Sequence, residues 1–241
     1  MKLTVVIPAL NEEKDLPATL QSIKDLADEI LVVDSGSTDK TSDIAQKAGA
    51  RVVKHSFKSF SETRNFGNQE AKGDWILSIE ADVTVPPELA AEIRQVIQSD
   101  KHSAYYIPRL NLIWGKPIYH TDWGPKDDTH IWLYRKGSGE WQSLVHEEFV
   151  TQKSVGRLQN HLVHKNYETV TEFIDKINRY SDLAVRQKNV FPGWWFLRDF
   201  FKRYFYKRGF LDGYHGLFLS YLQAVYYLTL TVKNKTYENH H

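Results

Sequence analysis

The chain of 241 residues has no cysteine, which excludes a disulfide framework, a thiolate metal centre and a cysteine nucleophile. That fits a reducing compartment. Met1-Lys2-Leu3-Thr4-Val5-Val6-Ile7-Pro8 holds no apolar run long enough for a signal peptide and reads as a strand, so the protein is expected to be unexported. A formal net charge of only +1 argues against the broad basic footprint of a nucleic-acid binder. No Gly-rich loop follows the first apolar run, so the dinucleotide fingerprint and the P-loop are both missing. Internal repeats and low-complexity stretches are absent too. What is present is 41% hydrophobic and 25% charged, the balance of a globular protein with a real core. The length suits one large α/β domain with an appendage, or two small domains.

Charge is unevenly distributed. Residues 194–241 carry seven Lys/Arg (Arg198, Lys202, Arg203, Lys207, Arg208, Lys233, Lys235) against three acids (Asp199, Asp212, Glu238), which leaves the rest of the chain acidic. Within Trp194–Phe210, helical spacing puts Leu197, Phe201, Tyr204 and Phe205 on one face, bordered by basic residues. Such a face suits the headgroup region of a bilayer, although docking on the protein itself would use the same pattern. With five bases there, an electrostatic anchor of roughly 1 kcal/mol per cation is expected. Gly213–Val232 lacks Asp, Glu, Lys and Arg, but Ser220, Gln223, Thr229, Thr231 and the tyrosines Tyr221, Tyr226 and Tyr227 make it too polar for an obvious span. The tail reads as peripheral, on an anionic membrane surface.

Strand and helix patterns alternate from the start. Leu3–Ile7, Glu29–Val33, Arg51–Val53 and Asp74–Ile79 read as strands, and the segments opening at Asn11, at Thr38 or Asp39, and at Glu62 read as helices. Alternation with short connections predicts an α/β fold, a mostly parallel central sheet flanked by helices with a Rossmann-like nucleotide half, followed by a C-terminal amphipathic helical tail. The expected division is a body over 1–190, with a nucleotide-sugar half at 1–100 and an acceptor half at 101–190, and a tail over 191–241. Thr169–Lys188 reads as a helix, and Pro192-Gly193 as a break.

Ligands bind beyond the carboxyl ends of strands in such sheets. Asn11-Glu12, Asp34 and Glu80/Asp82 all follow strand ends and should converge on one crevice. Carboxylate oxygens are hard ligands, suited to a magnesium- or manganese-bound diphosphate. Glu80-Ala81-Asp82 alone is more simply an acidic turn; the acids at the other strand ends add weight.

Three ordered segments sharpen the reading: Val5-Val6-Ile7-Pro8-Ala9-Leu10-Asn11-Glu12, Val32-Val33-Asp34-Ser35-Gly36-Ser37-Thr38-Asp39 and Gly73-Asp74-Trp75-Ile76-Leu77-Ser78-Ile79-Glu80-Ala81-Asp82. Together they resemble the family 2 inverting glycosyltransferases of GT-A fold. Tyr106–Asn111, Leu144–Glu147, Leu162–His164 and Arg208–Gly213 resemble a narrower group, the lipopolysaccharide-core β-glucosyltransferases. The resemblance covers nearly the whole chain. It implies inverting, metal-dependent transfer of a hexose from a nucleotide-diphosphate sugar, such as UDP-glucose, to a glycolipid or polysaccharide acceptor. The enzyme would work in the cytoplasm, on the inner face of the cytoplasmic membrane.

Carried onto this sequence, the resemblance places Pro8, Asn11 and Glu12 around the nucleoside and gives Asp34 a hydrogen bond from uracil or ribose. Arg64 would stand near the base and phosphates, and Asp82 would hold Mg2+ or Mn2+. The family usually has Asp where this chain has Glu80. Glutamate keeps the charge and reaches one methylene further, so ribose or water-mediated metal contact stays open, and an aspartate there is expected to preserve activity. The Val-His-Glu pattern selects Glu147 over Glu148 as the base that takes the acceptor proton, with Asp122, Asp127 and Asp128 in reserve. His164 is favoured over His161 as a late metal ligand. Trp123, in Asp122-Trp123-Gly124-Pro125, is the expected acceptor platform, a ring displayed on a turn, although most tryptophans are simply core. Two other classes compete: a nucleotidyltransferase on a similar sheet, which usually brings a Gly-rich basic loop, and a non-catalytic sugar-nucleotide-binding module.

Overall fold

The computed structural model describes residues 1–99, 101–143, 147–186 and 192–238. Its elements alternate as the pattern predicts: β1 (Leu3–Ala9), α1 (Leu16–Ile23), β2 (Glu29–Asp34), α2 (Thr41–Lys47), β3 (Arg51–Lys54), α3 (Phe60–Glu70) and β4 (Trp75–Ser78). The two-residue β5 (Val83–Thr84) and α4 (Pro87–Ser99) follow. Strands β6 (Ala104–Ile113), β7 (Lys116–Pro117), β8 (Thr129–Arg135), β9 (Glu140–Gln142), β10 (Glu148–Val150), β11 (Val155–Arg157) and β12 (Leu162–Tyr167) come next. Helices α5 (Val170–Arg186), α6 (Trp195–Phe201) and α7 (Tyr214–Glu238) complete the chain, with a π-helical turn at Lys202–Tyr206 and a 3₁₀ turn at Gly209–Asp212.

The main sheet has the order β3-β2-β1-β4-β8-β6-β12-β5. Strands β3, β2, β1 and β4 are mutually parallel, and β8 and β6 continue the sheet antiparallel. The fold is therefore mixed α/β, a central sheet flanked by helices with a C-terminal helix. β1 is buried along almost its whole length, as a strand with parallel neighbours on both sides must be.

The helix expected to open at Asn11 begins at Leu16. Backbone N–H groups of Asn11, Glu12 and Glu13 donate instead to Ser37 Oγ, Thr41 Oγ1 and Asp39 at 3.0, 2.7 and 3.1 Å. Asn11 also lies in the left-handed region (φ 57°), which asparagine tolerates better than most residues. The turn after β1 is thus stitched to the turn after β2, and the helix starts only once those donors are satisfied.

Two compact units emerge, and they do not divide at residue 190. The first comprises 1–109 and 129–164, the second 110–128 and 165–241. The reason is packing: Ile113 and Ile118 leave the first core and bury with Tyr167, Phe173, Ile177 and Leu219. The helix expected over Trp194–Phe210 breaks into α6, the π turn and the 3₁₀ turn, with Arg208 at φ 56° between the turns. No described helix is long and apolar enough to cross a membrane.

Helix α3 lies against β1 and β2 so closely that Gly67 has no room for a side chain. A Cβ there would meet Val6 Cγ1 at 2.5 Å and Val33 Cγ2 at 3.1 Å. Both valines are fully buried and cannot swing away. Gly67→Ala should therefore lower stability by about 1–2 kcal/mol, overpacking outweighing the helix propensity gained. Urea denaturation checks this; a more stable variant would mean that the helix can lift off the sheet without cost.

Candidate active site

The site assembles in the first unit, beyond the carboxyl ends of β1, β2 and β4. Its centre is Arg64, only 1% exposed. Ser59 caps α3 by accepting from Glu62 N at 3.1 Å, and Asn65 exchanges two hydrogen bonds with the Trp141 backbone. These fix the helix turn that carries Arg64 beneath two indoles: its guanidinium carbon is 4.7 Å from the Trp141 ring centroid and 5.3 Å from that of Trp132. Trp141 in turn donates to the Tyr134 hydroxyl at 2.8 Å. Burial, above all, pushes that phenol up to about 12, so it stays neutral.

A buried guanidinium needs acceptors on every edge. Arg64 donates to Ser78 Oγ at 2.8 Å, Glu80 Oε1 at 3.2 Å and Glu147 Oε1 at 3.4 Å. The second oxygen of Glu80 accepts from Arg109 Nη1 at 2.9 Å. Glu80 therefore bridges two arginines. The sequence reading assigned no role to Arg109, although an arginine inside the apolar run of β6 signals a carboxylate partner. Nothing in the sequence says which.

Asp82 sits on the turn after β4, and two features hold that turn. Thr19 of α1 donates to the Ala81 carbonyl at 2.6 Å. Strand β5, immediately after Asp82, pairs with β12 so that His164 lies opposite Val83. His164 Nε2 then reaches Asp82 Oδ2 at 3.2 Å and Glu80 Oε2 at 3.7 Å. Glu80, Asp82 and His164 each bring a ligand atom within 4.8 Å of the others. Asp82 Oδ1 is buried and accepts no hydrogen bond from the described residues. An unpaired anionic oxygen beside a second carboxylate and an imidazole suits a hard divalent cation, so the residues fit the metal that the resemblance implies.

Like charge accumulates around it. Glu12 is raised from the usual carboxylate range to about 7, first by burial and then by the charges of Asp82, Asp15, Asp39 and Glu80. Asp34 moves the other way. Although burial opposes it, bonds from Ser37, Ser42 and Gly36 hold its carboxyl below the ordinary range. It is 1% exposed and organises the turn after β2. Asn11 is engaged there too, its Oδ1 accepting from Thr38 N at 2.8 Å. Pro8 is half-buried on β1, paired with Val33.

The structure thus brings Arg64, Glu80, Asp82, Glu147 and His164 together, with Glu12 coupled to them through charge. His146 lies outside the described residues, while Glu147 and the exposed Glu148 lie within them. Trp123 lies in the second unit, partly buried, with its ring packed against Tyr167 and Phe173 at centroid distances of 5.8 and 6.1 Å. The reserve acids are also engaged in that unit, Asp122 with Arg203 and Lys207, Asp127 with Lys207, and Asp128 with Asn111.

An aspartate at 80 keeps the charge but not the reach to both arginines. Withdrawing the carboxylate by roughly 1.5 Å breaks its contact with Arg64 or Arg109, and Arg64, 1% exposed, is shielded from solvent. Glu80→Asp should cost about 1–2 kcal/mol in urea denaturation. Wild-type stability would mean that the bridge is dispensable.

With this geometry in place, the comparisons are consistent. The sequence profile of Glycosyl transferase family 2 matches residues 4–205. An uncharacterized glycosyltransferase of Rickettsia bellii is 29% identical over 239 residues, covering 88% of this chain and 80% of that protein. The lipopolysaccharide core biosynthesis glycosyltransferase LpsC of Rhizobium meliloti is 27% identical over 248 residues, covering 93% and 91%. Among solved structures, S. aureus TarS residues 1–349 in complex with UDP-GlcNAc has a TM-score of 0.52 at 15% identity, covering 93% of this chain and 79% of that one, a likeness of fold. The chain belongs to glycosyl transferase family 2.

Proposed function

We propose that this glycosyltransferase transfers a hexose, with inversion, from a nucleotide-diphosphate sugar such as UDP-glucose to a hydroxyl of a glycolipid such as lipopolysaccharide core. The observation that carries the reading is the meeting of Glu147, Arg64, Glu80, Asp82 and His164 at the sheet's carboxyl edge, with one Asp82 oxygen unpaired. The resemblance to LpsC, a lipopolysaccharide core biosynthesis glycosyltransferase, supports the acceptor class.

In this reading Pro8, Asn11, Glu12 and Asp34 border the nucleoside, the stitched turns after β1 and β2 forming its rim. Asp82 and His164, with Glu80 alongside, would hold Mg2+ or Mn2+. When bound, the ion supplies positive charge against the diphosphate leaving group. Arg64 holds Glu147 Oε1, which orients the carboxylate and leaves Oε2 for the acceptor. Glu147 accepts the hydroxyl proton as the hydroxyl oxygen bonds to the anomeric carbon. The bond from that carbon to the diphosphate oxygen breaks, and its electron pair leaves with the diphosphate. The protein acts in the cytoplasm, on the inner face of the cytoplasmic membrane, where a lipid-linked acceptor is presented.

Glu147→Gln keeps size and most hydrogen bonds but accepts no proton. Transfer should fall by about 10²–10⁴, with UDP affinity near wild type by calorimetry. Glu148→Gln should cost little, because Glu148 is exposed on β10 and adjacent residues of an extended segment point apart. Reversed results move the base by one residue; full activity in both variants removes it from this segment.

Asp82→Ala tests the cation site separately. Transfer should be lost, and UDP binding, titrated with and without Mn2+, should no longer respond to the metal. A metal response equal to wild type would place the cation elsewhere.

A further inference from the structure

The second unit sorts its charges by sign. The acids of residues 194–212, Asp199 and Asp212, are 7% and 4% exposed. Asp199 accepts from Arg203 Nε at 2.7 Å, and Asp212 accepts from the backbone of Tyr119 and His120 at 3.2 and 2.9 Å. Two of the bases turn inward with them. Arg203 is 8% exposed and also pairs with Asp122 at 2.7 Å, and Lys207 pairs with Asp122 and Asp127. Arg198, Lys202 and Arg208 remain on the surface. The five-cation anchor expected from the sequence is therefore a three-cation one.

Large apolar side chains share that surface. Trp194, Phe201, Phe205, Tyr206, Phe210 and Leu211 are between 45% and 81% exposed. They are not scattered: Phe201 stacks on Phe205 at 5.7 Å, and Tyr204 joins Phe205 to Phe210 at 5.0 and 6.3 Å. Two interruptions of regular helix, the π turn and the 3₁₀ turn, carry most of these rings outward. A contiguous apolar patch of this kind marks an interaction surface. Within residues 194–212 the exposed charges are Arg198, Lys202 and Arg208, all basic, so a second copy would set bases against bases. An anionic bilayer offers the complementary charge, and aromatic rings flanked by Lys/Arg suit its interface.

We infer that this face enters the interfacial layer of an anionic membrane chiefly through its aromatic side chains, with Arg198, Lys202 and Arg208 supplying the preference for negative lipid. This rests on the membrane-surface reading above and sharpens it. Attachment is led by apolar burial, so raised salt weakens but does not abolish it, because screening acts only on the charged part.

The full-length protein is sedimented with vesicles of phosphatidylcholine and phosphatidylglycerol, at low and high salt. Wild type should stay bound at high salt, with its tryptophan emission shifting to the blue as Trp194 enters the interface. Phe201→Ser/Phe205→Ser/Phe210→Ser should reduce binding by about tenfold or more while keeping the wild-type melting temperature, since all three rings are exposed. Arg198→Gln/Lys202→Gln/Arg208→Gln should lose the preference for phosphatidylglycerol but retain residual binding. If the aromatic variant binds like wild type and high salt or the cation variant alone releases the protein, the inference falls and the membrane reading stands. If wild type binds no vesicles, both fall. If light scattering shows a wild-type dimer that the aromatic variant splits, the face joins two copies and the inference is overturned.

Discussion

Everything at the candidate site depends on burying one guanidinium. Arg64 is sealed beneath Trp132 and Trp141, so each of its N–H groups must find a protein acceptor or leave an expensive unpaired donor. That requirement selects Ser78 at the end of β4, Glu80 just beyond it, and Glu147 from a segment far away in sequence. The arginine is thus a template: satisfying it places the proposed base and the acidic turn in one frame. A buried ion pair is a poor source of net stability but a strict judge of geometry, since only closely matched partners repay its desolvation. Replacing Arg64 would leave Glu80 and Glu147 repelling one another, which is why it belongs to the site as much as to the core.

The same frame leaves negative charge in excess. Arg64 and Arg109 balance Glu80 and Glu147, but among the described residues Asp82 pairs with His164 alone, and burial with the acids around it raises Glu12 to about 7. The buried Asp82 oxygen that no described group pairs, and the acids gathered around Glu12, leave room for positive charge at this edge of the sheet. A divalent ion chelated by a diphosphate would supply it without help from a Gly-rich loop. Acids, backbone turns and one arginine can then do what a phosphate loop does in other nucleotide-binding sheets.

What the sequence discloses and what it hides divide along a physical line. Runs such as Leu3–Ile7 and Glu29–Val33 announce their strands because a strand buried by parallel neighbours must be apolar on both faces. Strand ends followed by Asn11, Asp34 and Asp82 then fix where the site lies. Even the late pairing of His164 with Asp82 follows once the family pattern supplies a histidine. Long-range partners are another matter. Arg109 looks like any charged residue in a strand until Glu80 is seen beside it. Trp123 sits on a turn in sequence, and nothing local announces its ring contacts with the distant Tyr167 and Phe173. The start of α1 is displaced because three backbone donors find side-chain acceptors on another turn, a competition invisible to periodicity.

The tail shows why counting charges differs from knowing the surface. From sequence, Arg198, Lys202, Arg203, Lys207 and Arg208 are equivalent cations in one basic stretch. In the fold they take two different jobs, decided by the acids within reach. Arg203 and Lys207 meet Asp199, Asp122 and Asp127, and hold the π-helical turn in place. Around that turn Phe201, Phe205 and Phe210 gather through Tyr204 into one aromatic cluster. Phe205, Tyr206 and Phe210 are left facing solvent, at a cost in exposed apolar area that the protein alone does not recover. The internal ion pairs and the external rings are thus two aspects of one arrangement: the inward cations stabilise the irregular backbone that presents the aromatic face.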